Sequence, residues 1–231
     1  THSVLKDKRE TDPSRRYKLL YWLTQEREQC GIWVAFSPDG IRWTNYAEKA
    51  IVPCWATGDT FQVTQHPKTG QFILFHKTTG QPIRKVSRMV SDDFIHWSDS
   101  RRVLAPDRYD PPDTQFYGLS AYPSGGQVLG LLWVYHTYAQ TMDVQLVSSR
   151  DGLHWDRTAD RKLLVHLEPT NNYPGQAFDS EMIYVSARCW VSEPDRIVAN
   201  EMKRDSFGVF GNDTFGAVSY THLTLPTILL V

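Results

Sequence analysis

Three aspartates in this sequence stand at equivalent places and could do acid–base chemistry. Each opens a short apolar-rich segment: Asp59-Thr60-Phe61-Gln62-Val63, Asp113-Thr114-Gln115-Phe116-Tyr117 and Asp179-Ser180-Glu181-Met182-Ile183. Carboxylates gathered round one opening raise each other's pKa, because like charges disfavour ionisation. A pair with separated pKa values is what glycosidic bond cleavage uses: one protonated acid for the leaving oxygen, one ionised base or nucleophile. Glu181 lies two residues after Asp179 and is a spare carboxyl on the same side of a strand. Other polar and aromatic residues share the same phase. His76, His136 and Trp22 each follow an aromatic near the end of a strand-like segment. Arg84 and Arg88 lie in another, where a cation beside acids holds a carboxylate ionised or binds substrate. Tyr117 and Trp55 offer flat faces for a sugar ring. Each has an ordinary structural alternative: a turn-capping Asp, a buried hydrogen-bonded His, an inter-sheet Arg ion pair, a core aromatic. Two histidines without a third nearby ligand do not make a metal site, so no metal and no cofactor is expected.

A repeat must position these residues. The pattern Ser-x-Asp-(Gly/Phe)-(Ile/Leu)-x-Trp occurs three times: Ser37-Pro38-Asp39-Gly40-Ile41-Arg42-Trp43, Ser91-Asp92-Asp93-Phe94-Ile95-His96-Trp97 and Ser149-Arg150-Asp151-Gly152-Leu153-His154-Trp155. The tryptophans are 54 and 58 residues apart. Asp-Gly is tight-turn chemistry, and the Ser and Asp side chains can bond nearby backbone N–H groups. Each copy therefore reads as a hairpin corner, with the Trp opening the returning strand.

Strand-like segments precede every corner. They are 31–36, 84–90 and 143–147, and one step earlier 17–23, 71–76 and 128–136. Turn residues such as Lys68-Thr69-Gly70 and Ser124-Gly125-Gly126 separate them. With the three acid-led segments this makes four strands per repeat, the scale of a β-propeller blade. No segment of helical length shows a 3.6-residue period. A β-sandwich is the rival, but it does not call for the same turn at the same phase. The expected fold is all-β: part of one blade, two full blades and the opening strand of another. A five-bladed propeller would need roughly 275–300 residues, so the chain reads as an incomplete one of three to four blades. In that fold the first strand of each blade lines the central channel, so Asp59, Asp113 and Asp179 would converge at one mouth.

Composition agrees. The 231 residues are 41% hydrophobic, enough for a real core, and 13% aromatic, which favours strands. The net charge of −1 gives no support to nucleic acid or an anionic membrane as partner. The longest apolar stretch, 223–231, is broken by Pro226 and too short to span a bilayer. Cys30, Cys54 and Cys189 form no C-x-x-C pair and suggest no zinc site or disulfide framework. The chain begins at Thr1 with no basic-then-apolar leader, so the cytoplasm is the default and a missing native start leaves export open. The alternation fades after Val191, and 218–227 resembles translated sequencing-adapter sequence. Residues 1–200 are therefore read as the propeller and 201–231 as an atypical tail.

Several segments carry a family resemblance: Asp12-Pro13-Ser14-Arg15-Arg16-Tyr17-Lys18, Gly58-Asp59-Thr60, the stretch 88–98 around the second corner, Asp110-Pro111-Pro112-Asp113-Thr114-Gln115-Phe116-Tyr117-Gly118 and Gly130-Leu131-Leu132-Trp133-Val134-Tyr135-His136. Together they resemble glycosyl hydrolase family 32 N-terminal-like proteins, in the five-bladed propeller superfamily of invertases, levansucrases and arabinanases. The resemblance implies a glycoside hydrolase acting on an oligo- or polysaccharide. The invertase strings Asn-Asp-Pro-Asn, Arg-Asp-Pro and Glu-Cys do not occur here, so Asp59, Asp113 and Asp179 are candidates by position. A Gly is expected near Glu181 in this group, which weakens Glu181. The alternative is a non-catalytic propeller that binds carbohydrate or protein through its channel face. Carboxyl groups tied up by Lys or Arg would favour that binder.

Overall fold

The computed structural model describes residues 2–24, 29–78, 82–124, 126–165, 182, 184–185, 208–210 and 217–219. Three antiparallel sheets follow one another along the chain, each with its strands in sequence order. The first blade contains β1 (His2–Lys6), β2 (Tyr17–Leu23), β3 (Gly31–Ser37) and β4 (Thr44–Asn45), with β5 (Val52–Pro53) on the other end of β3. The second contains β6 (Phe61–Gln65), β7 (Phe72–Lys77), β8 (Val86–Ser91) and β9 (Arg101–Leu104). The third contains β10 (Thr114–Ser124), β11 (Gln127–His136), β12 (Thr141–Ser149) and β13 (Trp155–Arg157), and β14 (Leu163–Val165) also pairs with β12. A further sheet joins β15 (Tyr184–Val185), β16 (Gly208–Phe210) and β17 (Ala217–Ser219).

The first blade thus has its own inner strand, where the sequence alone suggested only part of a blade. His2–Lys6 carries little strand signal in sequence, since only Val4 and Leu5 in it are apolar. It pairs with β2 from His2↔Tyr21 to Lys6↔Tyr17.

The corners form as the repeat predicts. Ser37 Oγ accepts from Gly40 N–H at 2.8 Å, and Asp39 Oδ1 accepts from Ile41 and Arg42 N–H at 2.9 and 2.8 Å. The copies at Ser91/Asp93 and Ser149/Asp151 repeat these bonds to within 0.1 Å. The fourth corner residue has a positive φ in each: Gly40 at 79°, Phe94 at 70° and Gly152 at 68°. Trp155 opens β13, whereas Trp43 precedes β4 by one residue and Trp97 lies outside any strand.

Blades stack face to face, and this explains why the middle strands lack clean polar alternation. In β7, Phe72 and Leu74 join a core with Leu20, Ile32, Val34 and Phe36 of the first blade. Ile73 and Phe75 of the same strand join Phe116, Leu132 and Val134 of the third. A strand covered on both faces is apolar at every position. The inner strands lie side by side, with Val63 N–H of β6 donating to Ser3 Oγ of β1 at 3.1 Å. Lys18 is buried in the first blade (1% side-chain exposure) and paired with Glu10 at 2.7 Å and Asp7 at 3.5 Å.

Candidate functional site

Every inner strand starts at the same end of its blade, and the connection between second and third strands closes over that end. Asp59 and Asp113, just ahead of β6 and β10, therefore meet the residues that end β7 and β11. Backbone closeness delivers Asp59: Gly58 N–H donates to Lys77 C=O at 2.9 Å. A Cβ at Gly58 would stand 2.7 Å from that carbonyl oxygen, so the approach requires glycine.

Asp59 is 54% exposed and binds Lys77 Nζ at 2.6 Å, while the Lys77 side chain is 11% exposed. Partial burial pushes the Asp59 pKa up, but the hydrogen bond and charge of Lys77 outweigh it and hold the carboxyl below the usual range. Lys77 Nζ also sits 4.2 Å from the centre of the Tyr117 ring. Arg84 faces the same ring at 5.3 Å and Tyr135 at 5.6 Å, and donates to Gln115 Oε1 at 2.6 Å. An irregularity between Phe116 and Gly118 in the β10–β11 register sets Tyr117 out of step with its neighbours. Asp59, Lys77, Tyr117, Arg84 and Gln115 form one cluster of anion, cations and aromatic ring.

Asp113 belongs to the adjoining loop. Its carbonyl accepts from Thr137 N–H at 3.1 Å, and its Oδ2 from Tyr138 N–H at 3.2 Å. His136 is half-buried and donates through Nε2 to Asp143 Oδ2 at 2.9 Å. That bond raises the His136 pKa against the effect of burial, and the charges of Asp143, Asp113 and Asp110 add to it. The 105–113 loop is pinned from below. Arg157 Nη1 lies 2.6 and 2.7 Å from the two Asp110 oxygens, and Arg157 Nη2 donates to Gln145 Oε1 at 2.6 Å. Arg161 holds Asp107 at 2.6 and 2.8 Å.

The remaining sequence candidates lie elsewhere. His76 is 2% exposed. Its Nδ1–H donates to Lys77 C=O at 3.1 Å and its Nε2 accepts from Ser100 Oγ at 2.9 Å, which suits the neutral ring. Trp22 packs on the core between the first two blades and donates to Thr24 Oγ1 at 2.9 Å. Arg88 reaches the opposite end of the third blade, where it donates to Asp151 C=O in the corner at 3.1 Å. Asp179 and Glu181 lie outside the described residues. Among the described residues no group of three His, Cys, Asp or Glu could hold a metal ion, and no helix is long and apolar enough to cross a membrane. Lys77, Gln115 and Asp143 were not legible as site residues. Asp143 alone leaves a signal, as the single charge in the run 142–147.

His76 carries a pH prediction. Burial pushes its pKa down to about 4, against about 6.5 in an unfolded chain. The native ring stays neutral while the unfolded one takes a proton, so stability is complete above pH ~6.5 and falls as the pH drops toward ~4. By pH ~4.5 the loss from this residue is about 2.5 kcal/mol. Urea unfolding at neutral and acid pH should show a steeper fall for the wild type than for His76→Gln. Equal slopes would reject the assignment.

No protein-family model matches the sequence, and no curated protein matches it. Solved structures do match. One described as a glycoside hydrolase aligns with a TM-score of 0.57 and 14% identity over 80% of this chain and 60% of its own. An α-L-arabinofuranosidase from Clostridium thermocellum aligns at 0.51 and 15% over 80% of this chain and 56% of its own. A sucrose-6-phosphate hydrolase from Lactobacillus gasseri aligns at 0.51 and 13% over 66% of this chain and 32% of its own. The chain thus spans between a third and three-fifths of the length of these proteins. It shares the β-propeller fold of these structures, as the repeat implies.

Proposed function

We propose that this propeller binds a carbohydrate at the end where β6 and β10 begin, and that Asp59 and Asp113 act there on a glycosidic bond. The observation that carries the reading is Asp59 itself. It is an accessible carboxylate at the head of an inner strand, kept ionised by Lys77 at 2.6 Å. An ionised carboxylate serves as base or nucleophile, or stabilises positive charge developing on the sugar ring. Asp113, at the equivalent position of the next inner strand, supplies the second carboxyl, and Asp179 is the third candidate. Tyr117 offers a ring face, and Arg84 and Lys77 offer hydrogen-bond donors to sugar hydroxyls.

One observation favours the second reading, a propeller that binds sugar without cleaving it. The Lys77 ion pair already neutralises the Asp59 charge, which suits a positioning group as well as a reacting one. A glycan panel assayed with the full chain separates the two. Reducing-end release should fall by about 10²–10⁴-fold in Asp59→Asn and Asp113→Asn if the carboxyls do acid–base work. Oligosaccharide binding by calorimetry should change far less. Binding by the wild type with no release supports the second reading. Equal turnover by the wild type and both variants rejects the site.

A further inference from the structure

We propose that Cys30 and Cys54 are a redox pair that closes a reversible disulfide across the first blade, stapling β5 to β3 just ahead of the segment that delivers Asp59. The register places them opposite each other. Gly31 pairs with Pro53 and Ile32 with Val52, and Cys30 and Cys54 are the next residues outward, just beyond the two strands. Cys54 N–H donates to Cys30 C=O at 2.9 Å, so the two backbones stay joined one residue beyond the strands. Residues joined by such a bond across an antiparallel pair have Cα atoms about 5.5 Å apart. Disulfides span Cα separations of about 4.4–6.8 Å.

Gly31 is what brings the two strands so near. Its φ is +145°, and a Cβ there would lie 2.2 Å from Val52 C=O and 2.9 Å from Pro53 Cα. No other residue type fits, so the backbone is built for close approach beside the two sulfurs. Both cysteines are half-buried, within reach of a small oxidant, and neither is in a disulfide in this structure. β5 contains only Val52 and Pro53, a short hold for the chain that runs on to Asp59. A covalent link at Cys54 would fix that segment's point of departure five residues before the carboxylate.

The chemistry needs a small-molecule disulfide such as oxidised glutathione. One cysteine thiolate attacks a glutathione sulfur, breaking the S–S bond and expelling one glutathione thiolate. The second cysteine thiolate then attacks the mixed disulfide and expels the other. Two electrons pass from the protein to glutathione, and the two cysteine protons end on the two glutathione thiols.

The test uses the full chain, incubated with oxidised glutathione and then unfolded for thiol counting, intact mass and peptide mapping. The chain has three cysteines. Two of the three thiols should disappear, the mass should fall by two hydrogens, and one crosslinked peptide should join Cys30 to Cys54. Dithiothreitol should restore all three thiols. Cys30→Ser should instead carry one glutathione on Cys54, which shows that the second thiol resolves the first step. Retention of all three thiols, stable glutathione on both cysteines without a crosslink, or a crosslink made through Cys189 would overturn the proposal. None of these readouts depends on what the propeller binds.

Discussion

Replacing Arg157 with alanine should destabilise the protein by about 3–5 kcal/mol, the usual cost of breaking a buried ion pair by removing one partner. The Arg157 and Asp110 side chains are only 8% and 5% exposed. Without the guanidinium, the Asp110 carboxylate keeps Arg161 at 3.3 Å as its remaining cation, and Gln145 Oε1 loses both of its donors. Arg157 also lies over the Phe116 ring at 5.0 Å, so the truncation removes packing from the core between the second and third blades. The effect reaches the candidate site because Asp110 anchors the loop that ends at Asp113. Urea unfolding measures the stability loss. The double variant Arg157→Met/Asp110→Leu should recover most of it, since a buried pair replaced by apolar groups of similar volume is often neutral. A loss under about 1 kcal/mol in Arg157→Ala would show that the pair is hydrated in solution.

Phe94 should give an effect of similar size with an unusual ordering. It occupies the corner position that is glycine in the other two repeats, at a φ of 70°. A left-handed backbone costs an L-residue about 1–2 kcal/mol. Packing offsets that cost: Phe94 is fully buried, edge-on to Phe72 at 5.0 Å and to Trp97 at 5.9 Å, with Phe36 at 6.4 Å. Phe94→Ala removes the ring and keeps the strained backbone, for a loss of about 3–5 kcal/mol. Phe94→Gly removes the same ring and relieves the strain, so it should be about 1 kcal/mol more stable than Phe94→Ala. In an ordinary strand glycine is the worse of the two. Thermal or urea unfolding of the two variants decides it, and an alanine variant at least as stable as the glycine one would refute the account.

The three corners were readable because their information is local. Ser, Asp and the fourth residue bond within five positions of each other, so a pattern in one stretch of chain specifies one geometry. The repetition of that pattern gave the blade period, and the period gave the end at which Asp59 and Asp113 emerge. The site's electrostatics were not readable. Lys77 follows His76 directly, yet at the end of β7 the histidine is buried against Ser100 and the lysine reaches Asp59. The strand period settles which of the two shares a face with which neighbour, but not which blade covers that face. Arg84 and Arg88 look interchangeable in sequence, four residues apart, yet one meets Tyr117 and the other meets the corner at Asp151.

What the sequence determined by itself was the architecture: short-range turn chemistry repeated at similar intervals, with apolar segments between turns, builds equivalent sheets that stack on one another. What the tertiary structure alone decided was which charges meet. Asp59 with Lys77, His136 with Asp143 and Arg157 with Asp110 are separated by 18, 7 and 47 residues. Their contacts arise where strand ends and neighbouring blades converge. A few ångströms of approach there settle whether a carboxylate is paired or available, and no local pattern records that distance.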